Sequence, residues 1–184
     1  MQLAIAQPRQ NYPDYFTKRI RLPEGVDVTI RPIRPADSRI ERDFVNSLSE
    51  QSKYQRFLAP IHELTPEMLE QFTHIDYDRD MALIAVVDTP EGEREIGVAR
   101  YCMLPGGKTC EFAIVVGEAW RGSGLARTLM RLLIDSAREH GFEAMEGVTF
   151  ADNGRMQDFA RSLGFRLLPD PDDASLVQMH LALD

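Results

Sequence analysis

The spacing of apolar residues along the chain predicts alternating strands and helices. Short apolar or alternating runs predict strands over residues 28–33, 81–87, 96–103, 109–116, 144–150, 165–168 and 176–183. Apolar residues three and four positions apart predict helices over 38–48, from 49 onward, from 65 onward, over 125–140 and over 156–163. Glycine-containing turns near residues 92 and 106 connect the middle strands as an antiparallel meander. The pattern therefore indicates one α/β domain with a mixed sheet.

Residues 1–26 differ from the rest of the chain. They show little periodicity and contain Pro8, Pro13 and Pro23. We interpret them as an N-terminal extension or partner-packing arm, and 27–184 as the domain proper. A chain of 184 residues is long enough for a single domain with a substantial core.

Charge and apolar content exclude several classes of function. The net charge of -8 disfavours non-specific nucleic-acid binding, which needs basic surface. No apolar run approaches the roughly 20 residues of a membrane span. The N-terminus also lacks the apolar segment of a secretory signal, which indicates a cytoplasmic protein. The four histidines form no ligand spacing, so the sequence predicts no metal site.

The two cysteines, Cys102 and Cys110, lie on either side of a Pro105-Gly106-Gly107 turn. A hairpin at this turn would place them opposite each other, which makes a disulfide conceivable. Two reduced thiols are the preferred interpretation, because a single cysteine pair does not resemble a secreted disulfide scaffold.

The segment Arg121-Gly122-Ser123-Gly124-Leu125-Ala126 carries the strongest chemical signal. It follows an apolar strand and begins a predicted helix, so it places unpaired helix N–H groups at the positive end of the macrodipole. Three arginines and one acid between residues 117 and 131 give this stretch a local excess of +2. Such a turn either binds an anion, most often phosphate, or is an ordinary tight bend.

The order of residues in this turn narrows the kind of anion. The turn lacks the three glycines of the G-x-G-x-x-G dinucleotide fingerprint. It also lacks the Gly-Lys-Ser/Thr of a P-loop. These two absences favour a diphosphate that is bound by backbone N–H groups alone, without the lysine and Mg²⁺ of nucleotide hydrolysis.

The same residues resemble a known family. Residues 115–126 are similar to the acyl-CoA-binding motif Q/R-x-x-G-x-G/A of the GNAT (Gcn5-related) N-acetyltransferases, with Arg121, Gly124 and Ala126 in its places. Residues 153–165, ending in Gly-Phe, resemble the family's downstream segment. The similarity covers about 27–184. It implies the GNAT fold, in which helices flank a central mixed, mostly antiparallel sheet.

Three further segments resemble one branch of the family. Residues 30–37, 48–57 and 75–83 are similar to the acetyltransferase domain of bacterial Pat-type protein-lysine acetyltransferases. This resemblance favours a protein lysine as acceptor.

The family resemblance implies how acetyl-CoA binds. The N–H groups of residues 121–126 would hold the CoA pyrophosphate, and the pantetheine arm would pair with the strand edge at Val115 and Val116. Arg127 or Arg155 would contact the adenosine phosphates, although each also fits a solvated helix-surface arginine. Asn153 would cap the last helix or contact CoA, and the cap is the simpler role.

Glu111 is the candidate general base. An amine must lose a proton before it attacks a thioester, and a lysine has a pKa near 10.4. A positioned carboxylate contributes roughly 10²–10⁴-fold to such a step. Strand alternation places Glu111 on one face with Ala113 and Val115, where an unpaired buried carboxylate would be costly. Pat-type proteins carry a catalytic Glu at the matching position. The alternative is a structural or exposed strand-end glutamate.

One position departs from the family pattern. Many GNAT enzymes have a tyrosine four residues before the glycine of Gly-Phe, as general acid for the leaving thiolate. Ala160 occupies that place here. The thiolate would then leave unassisted, or Ser162 or Ser123 would serve as the acid.

The sequence therefore predicts an N-acetyltransferase that moves an acetyl group from acetyl-CoA to an amine by direct attack. A protein lysine is the favoured acceptor. A polyamine or amino sugar is the enzymatic alternative, and a non-catalytic acyl-CoA sensor is the alternative without catalysis.

Overall fold

The computed structural model describes residues 12–184. The strands are β1 (Lys18–Arg21), β2 (Asp27–Pro32), β3 (Met81–Thr89), β4 (Gly92–Met103), β5 (Thr109–Val116), β6 (Ala144–Phe150), β7 (Arg166–Pro169) and β8 (Leu176–Ala182). The helices are α1 (Ser38–Ser47), α2 (Glu50–Phe57), α3 (Pro66–Thr73), α4 (Leu125–Glu139) and α5 (Gly154–Ser162). Every strand and helix predicted from the sequence is present to within a few residues.

The strands form one eight-stranded sheet in the order β1-β2-β3-β4-β5-β6-β8-β7. Only β5 and β6 run parallel to each other, and all other neighbours are antiparallel. A parallel pair needs a long crossover, and α4 supplies it between these two strands. The predicted mixed, mostly antiparallel sheet is confirmed.

Strand β1 lies within the segment 1–26, where the sequence predicted no strand. It pairs with β2 through Lys18↔Ile30 to Arg21↔Asp27. Its four side chains are mostly exposed, so the buried alternation that identifies a strand is missing. The first 11 residues of the predicted extension lie outside the described residues.

Two adjacent residues of β4 show which helices cover each face of the sheet. The Tyr101 hydroxyl is 3.1 Å from the Ser136 hydroxyl on α4. The Arg100 guanidinium reaches Glu41 on α1 and the carbonyl of Phe72 on α3. Neighbouring side chains on a strand point to opposite faces. Helix α4 therefore covers one face, and α1 and α3 cover the other.

Strands β5 and β6 pair at one end and separate at the other. Their pairing runs from Thr109↔Ala144 to Glu111↔Glu146 and then stops. Beyond it, β5 pairs only with β4, whereas β6 stays paired with β8 to its end. The Phe112 ring fills the start of the gap, where a Cβ at Gly147 would collide with it. The gap leaves one backbone edge of 112–116 open.

The hairpin of β4 and β5 does not place the cysteines opposite each other. Cys102 pairs with Glu111 and Cys110 with Met103, so the two thiols are offset by one residue. Cys102 is exposed and Cys110 is buried, and both are free. An offset of one residue turns the two side chains to opposite faces. The expectation that the hairpin places the two cysteines opposite each other is wrong. The preferred interpretation of two free thiols agrees with the structure.

Candidate active site

A cleft of about 690 Å³ opens where β5 leaves β6. Its floor is the unpaired part of β5, over residues 112–116. One end is formed by the glycine turn and the start of α4, and one side by the segment 152–156 at the start of α5. Helix α2 forms a further wall. The predicted cofactor-binding residues that line this cleft are Val115, Val116, Arg121, Gly122, Gly124, Leu125, Ala126, Arg127, Asn153 and Arg155.

The glycine turn presents several free N–H groups to the cleft. Gly122 and Gly124 have φ values of 79° and 86°, which other residues adopt only under strain. The N–H groups of Gly122, Gly124, Ala126 and Arg127 have no acceptor among the described residues. Since these groups lie at a helix N-terminus, they form a site suited to phosphate.

Arg121 does not point freely into solvent. Its guanidinium donates a 2.8 Å hydrogen bond to the Ser52 hydroxyl on α2 and lies 3.7 Å from Glu118. Glu118 in turn accepts hydrogen bonds from the Ser52 and Ser49 hydroxyls at 2.5 and 2.7 Å. Burial alone would raise the pKa of Glu118, but the hydrogen bonds from Ser52 and Ser49 lower it to about 2. This network fastens the glycine turn to α2.

Two of the predicted residues have clear structural roles. Ser123 is buried and does not line the cleft. Its hydroxyl donates to the Trp120 carbonyl at 2.7 Å and accepts from the Leu125 N–H, so it stabilises the turn from within. Asn153 accepts a hydrogen bond from the Met156 N–H and caps α5, as expected, while also facing the cleft.

The two arginines expected near the adenosine phosphates differ. Arg127 is half-buried and donates to the hydroxyl and carbonyl of Ser162 at 2.7 and 3.3 Å. Arg155 is exposed on the first turn of α5 and has no partner among the described residues. Both line the cleft, but only Arg155 has an uncommitted guanidinium.

Glu111 lies on β5 one residue before Phe112, the first strand residue that lines the cleft. It pairs directly with Cys102 on β4. Cys102 and Arg100 share a face, so Glu111 points to the side of the sheet that α1 and α3 cover. The side chain is exposed, which spares its carboxylate the burial cost expected from the apolar sequence around it. It has no hydrogen-bond or ion-pair partner within 12–184.

Neither hydroxyl suggested by the sequence replaces the tyrosine missing at position 160. Ala160 is 1% exposed and forms part of the core. Ser162 and Ser123, the alternatives from the sequence, both donate to backbone carbonyls, of Phe159 and Trp120. Neither lines the cleft.

The α2 wall of the cleft was not recognised in the sequence. It consists of Ser49, Gln51, Ser52, Gln55 and Arg56. These positions recur three and four residues apart, so they share one face of the helix. That polar spacing was the available signal, whereas the helix was predicted from its apolar residues alone.

Two features are absent from residues 12–184, a metal-binding cluster and a membrane-spanning helix. No group of His, Cys, Asp and Glu side chains in this part of the chain is arranged to hold a metal ion. None of its helices has the length and apolar character needed to cross a membrane.

Comparisons with known proteins agree with this geometry. Residues 47–165 match the model of the acetyltransferase (GNAT) family. The acetyltransferase PA5475 of Pseudomonas aeruginosa is 41% identical over 162 residues, which are 88% of this chain and 87% of that protein.

Solved structures show the same fold. The GNAT domain of S. lividans PAT superposes with a TM-score of 0.83 at 26% identity, covering 93% of this chain and 99% of that one. The Salmonella typhimurium protein yncA, solved with its cofactor acetyl-CoA, gives a TM-score of 0.68 at 23% identity, over 85% and 94% of the two chains. At that identity yncA supports the fold alone. The resemblance to Pat-type domains is confirmed, and the chain belongs to the GNAT family of acetyltransferases, enzymes that use acetyl-CoA as acyl donor.

Proposed function

We propose that this enzyme acetylates the side-chain amine of a protein lysine, with Glu111 as general base. One observation carries the proposal. The free N–H groups of the glycine turn and the open edge of β5 form a continuous surface that leads toward Glu111. A thioester donor laid along this surface would bring its acyl group toward the only carboxylate on β5.

The residues of the cleft fit acetyl-CoA. Free N–H groups at the start of α4 suit the pyrophosphate. The unpaired edge at Val115 and Val116 offers backbone groups to the amides of the pantetheine arm, as an added strand would. Arg155, which has no partner among the described residues, lines the α5 side of the cleft and suits a phosphate. These assignments explain why the chain leaves so many backbone groups unsatisfied around one cleft.

Glu111 would accept the proton of the incoming amine. At neutral pH about one lysine in a thousand is unprotonated, so a base that removes the proton directly or through water raises the reactive fraction. The amine nitrogen then bonds to the thioester carbonyl carbon, the carbon–sulfur bond breaks, and CoA leaves as a thiolate. An exposed carboxylate with no other partner is free for this role.

The thiolate of CoA would leave without an acid from the enzyme. Ala160 provides no proton, and the hydroxyls of Ser123 and Ser162 are committed to backbone carbonyls. A thiol with a pKa near 8.5 is a good leaving group, and water can protonate it afterwards. We therefore assign no general acid.

Similarity to the GNAT domain of S. lividans PAT supports a protein lysine as acceptor. The net charge of -8 favours a basic partner. Polyamines and amino sugars are the competing acceptors. We also propose a cytoplasmic location, where the two free thiols would stay reduced.

A thiol-release assay with acetyl-CoA would test the proposal. The acceptor panels are lysine-containing proteins and peptides, polyamines, and amino sugars. We expect release with the protein-lysine panel and a mass increase of one acetyl group on the acceptor. Turnover confined to polyamines or amino sugars would contradict the lysine assignment. Tight CoA binding without release for any acceptor would indicate a sensor instead.

A further inference from the structure

Arg56 is a half-buried arginine in the α2 wall of the cleft. Within residues 12–184, its guanidinium makes no hydrogen bond and no ion pair. Its side chain lies over the ring of the adjacent Phe57, 4.9 Å from the ring centre. Every other described arginine without such a partner is exposed. A half-buried guanidinium with no protein partner loses part of its hydration, and a bound anion would supply the partner that it lacks.

The charges around Arg56 do not neutralise it. Burial, together with the charge of Arg100, lowers the pKa of Arg56 to about 10, against the opposing effect of Glu41. Glu41 is already paired with Arg100 at 2.9 Å. Burial and the nearby Glu41 raise the pKa of Glu95 well above its ordinary value, which favours the uncharged form of this carboxyl. Two guanidiniums thus share one carboxylate, and Arg56 is left without a counter-ion.

Arg56 lies at the acceptor end of the cleft. The Phe57 ring under its guanidinium stacks on Phe72, with 6.2 Å between the ring centres. Arg100 lies over the same Phe72 ring and pairs with Ala113 on β5, which shares a face with Glu111. Arg56 and Glu111 therefore face the same side of the sheet. The glycine turn starts beyond Val116, which lies about 10 Å past Ala113 along β5 at roughly 3.3 Å per residue. Arg56 is thus placed away from the expected pyrophosphate site.

We propose that Arg56 binds a carboxylate that the acceptor carries beside its reacting amine. A guanidinium binds a carboxylate through two parallel hydrogen bonds, which fixes orientation as well as position. Gln55 from the same helix adds an amide donor to this wall. The carboxylate comes either from an acidic side chain next to a target lysine or from the α-carboxylate of a free amino acid. The inference rests on amine acetylation as the function.

Acceptors that differ only in one carboxylate would test this role. One pair consists of two peptides with a single lysine, flanked by Glu in one and Gln in the other. The second pair is free lysine and lysinamide. We expect the wild-type enzyme to favour the carboxylate member of a pair by about 10- to 100-fold in kcat/KM. The pair that shows the preference identifies the source of the carboxylate.

Variants of Arg56 assign the preference to this residue. Arg56→Gln should abolish it by raising KM for the acidic acceptor, while KM for acetyl-CoA stays unchanged. Arg56→Lys should keep part of it. Arg42→Gln is the matched control, an exposed arginine on α1 outside the cleft. Thermal melts verify that each variant is folded.

The possible outcomes separate the two proposals. A carboxylate preference that survives in Arg56→Gln would overturn the role of Arg56 while leaving the acetyltransferase reaction intact. A rise in KM for acetyl-CoA without an effect on the acceptor would also overturn it. If no amine is acetylated, the proposed function fails. Calorimetry can then measure how tightly the CoA-loaded protein binds the two members of each acceptor pair. Tighter binding of the carboxylate member would support the role of Arg56, and equal affinity for both members would overturn it.

Discussion

The guanidinium of Arg121 donates a 2.8 Å hydrogen bond to the hydroxyl of Ser52, a residue 69 positions earlier in the chain. The first residue belongs to the glycine turn and the second to α2, so this bond joins two walls of the cleft. Glu118 reinforces the junction by accepting from the same hydroxyl. The family's motif arginine therefore shapes the site through another side chain.

Removing either partner of this bond should weaken acetyl-CoA binding. We expect Arg121→Ala and Ser52→Ala each to lower the affinity by about 5- to 20-fold, because each loses the same charge-assisted hydrogen bond. The double variant should be no worse than the single ones, as residues that act through one bond are not additive. Calorimetry with CoA would measure the affinity of all three variants, with Arg131→Ala, at an exposed position on α4, as the control. A large effect of Arg121→Ala alone would mean that Arg121 contacts the ligand directly.

Glu118 should make the fold sensitive to acid. Hydrogen bonds lower its pKa from 4.5 to about 2 in the folded protein. A carboxyl whose pKa is depressed by folding contributes stability above its unfolded pKa and loses it as the pH falls toward the folded pKa. The contribution is thus complete above about pH 5 and declines from there toward pH 2. Urea unfolding at several pH values should show a shallower acid loss for Glu118→Gln than for wild type. A variant at the exposed Glu139 should keep the wild-type slope.

The glycine turn was predictable because its signal is local. A strand, two glycines and a helix follow one another within about 20 residues, and each depends on its own sequence. The free N–H groups of Gly122 and Gly124 follow from that order alone. The cap at Asn153 is local for the same reason.

The α2 wall was not predictable in the same way. Its approach to the glycine turn depends on contacts such as Ser52 with Glu118, which join residues 66 positions apart.

The register of β4 and β5 could not be predicted for a related reason. Shifting an antiparallel pair by one residue turns every side chain to the other face. The residues of the hairpin loop did not determine which of these registers the two strands adopt. The sequence therefore predicts both strands but not the relative positions of Cys102 and Cys110.

Gly124 should tolerate no β-branched residue. Its φ of 86° is strained for any other side chain, and its free N–H lies in the cleft. Gly124→Val should lower CoA affinity by at least about 100-fold, as two or more charge-assisted hydrogen bonds are lost. Gly106→Val is a matched control, because Gly106 has a φ of 97° in a hairpin outside the cleft. Both variants should lose stability in thermal melts, but only the first should lose binding. Unchanged affinity in Gly124→Val would contradict the backbone site.

Glu111 should act on the reaction and not on donor binding. Glu111→Gln removes the base with little change in shape, so we expect kcat to fall by roughly 10²–10⁴ at pH 7. Its KM for acetyl-CoA should stay near that of wild type, since the carboxylate lies outside the cleft lining. The deficit should shrink as the pH rises toward 10, because the lysine then loses its proton unaided. Steady-state kinetics from pH 6.5 to 9.5 would measure this convergence, with Glu143→Gln as an exposed control. Parallel pH profiles for variant and wild type would contradict the assignment, because a residue with a purely structural role would depress the rate equally at every pH.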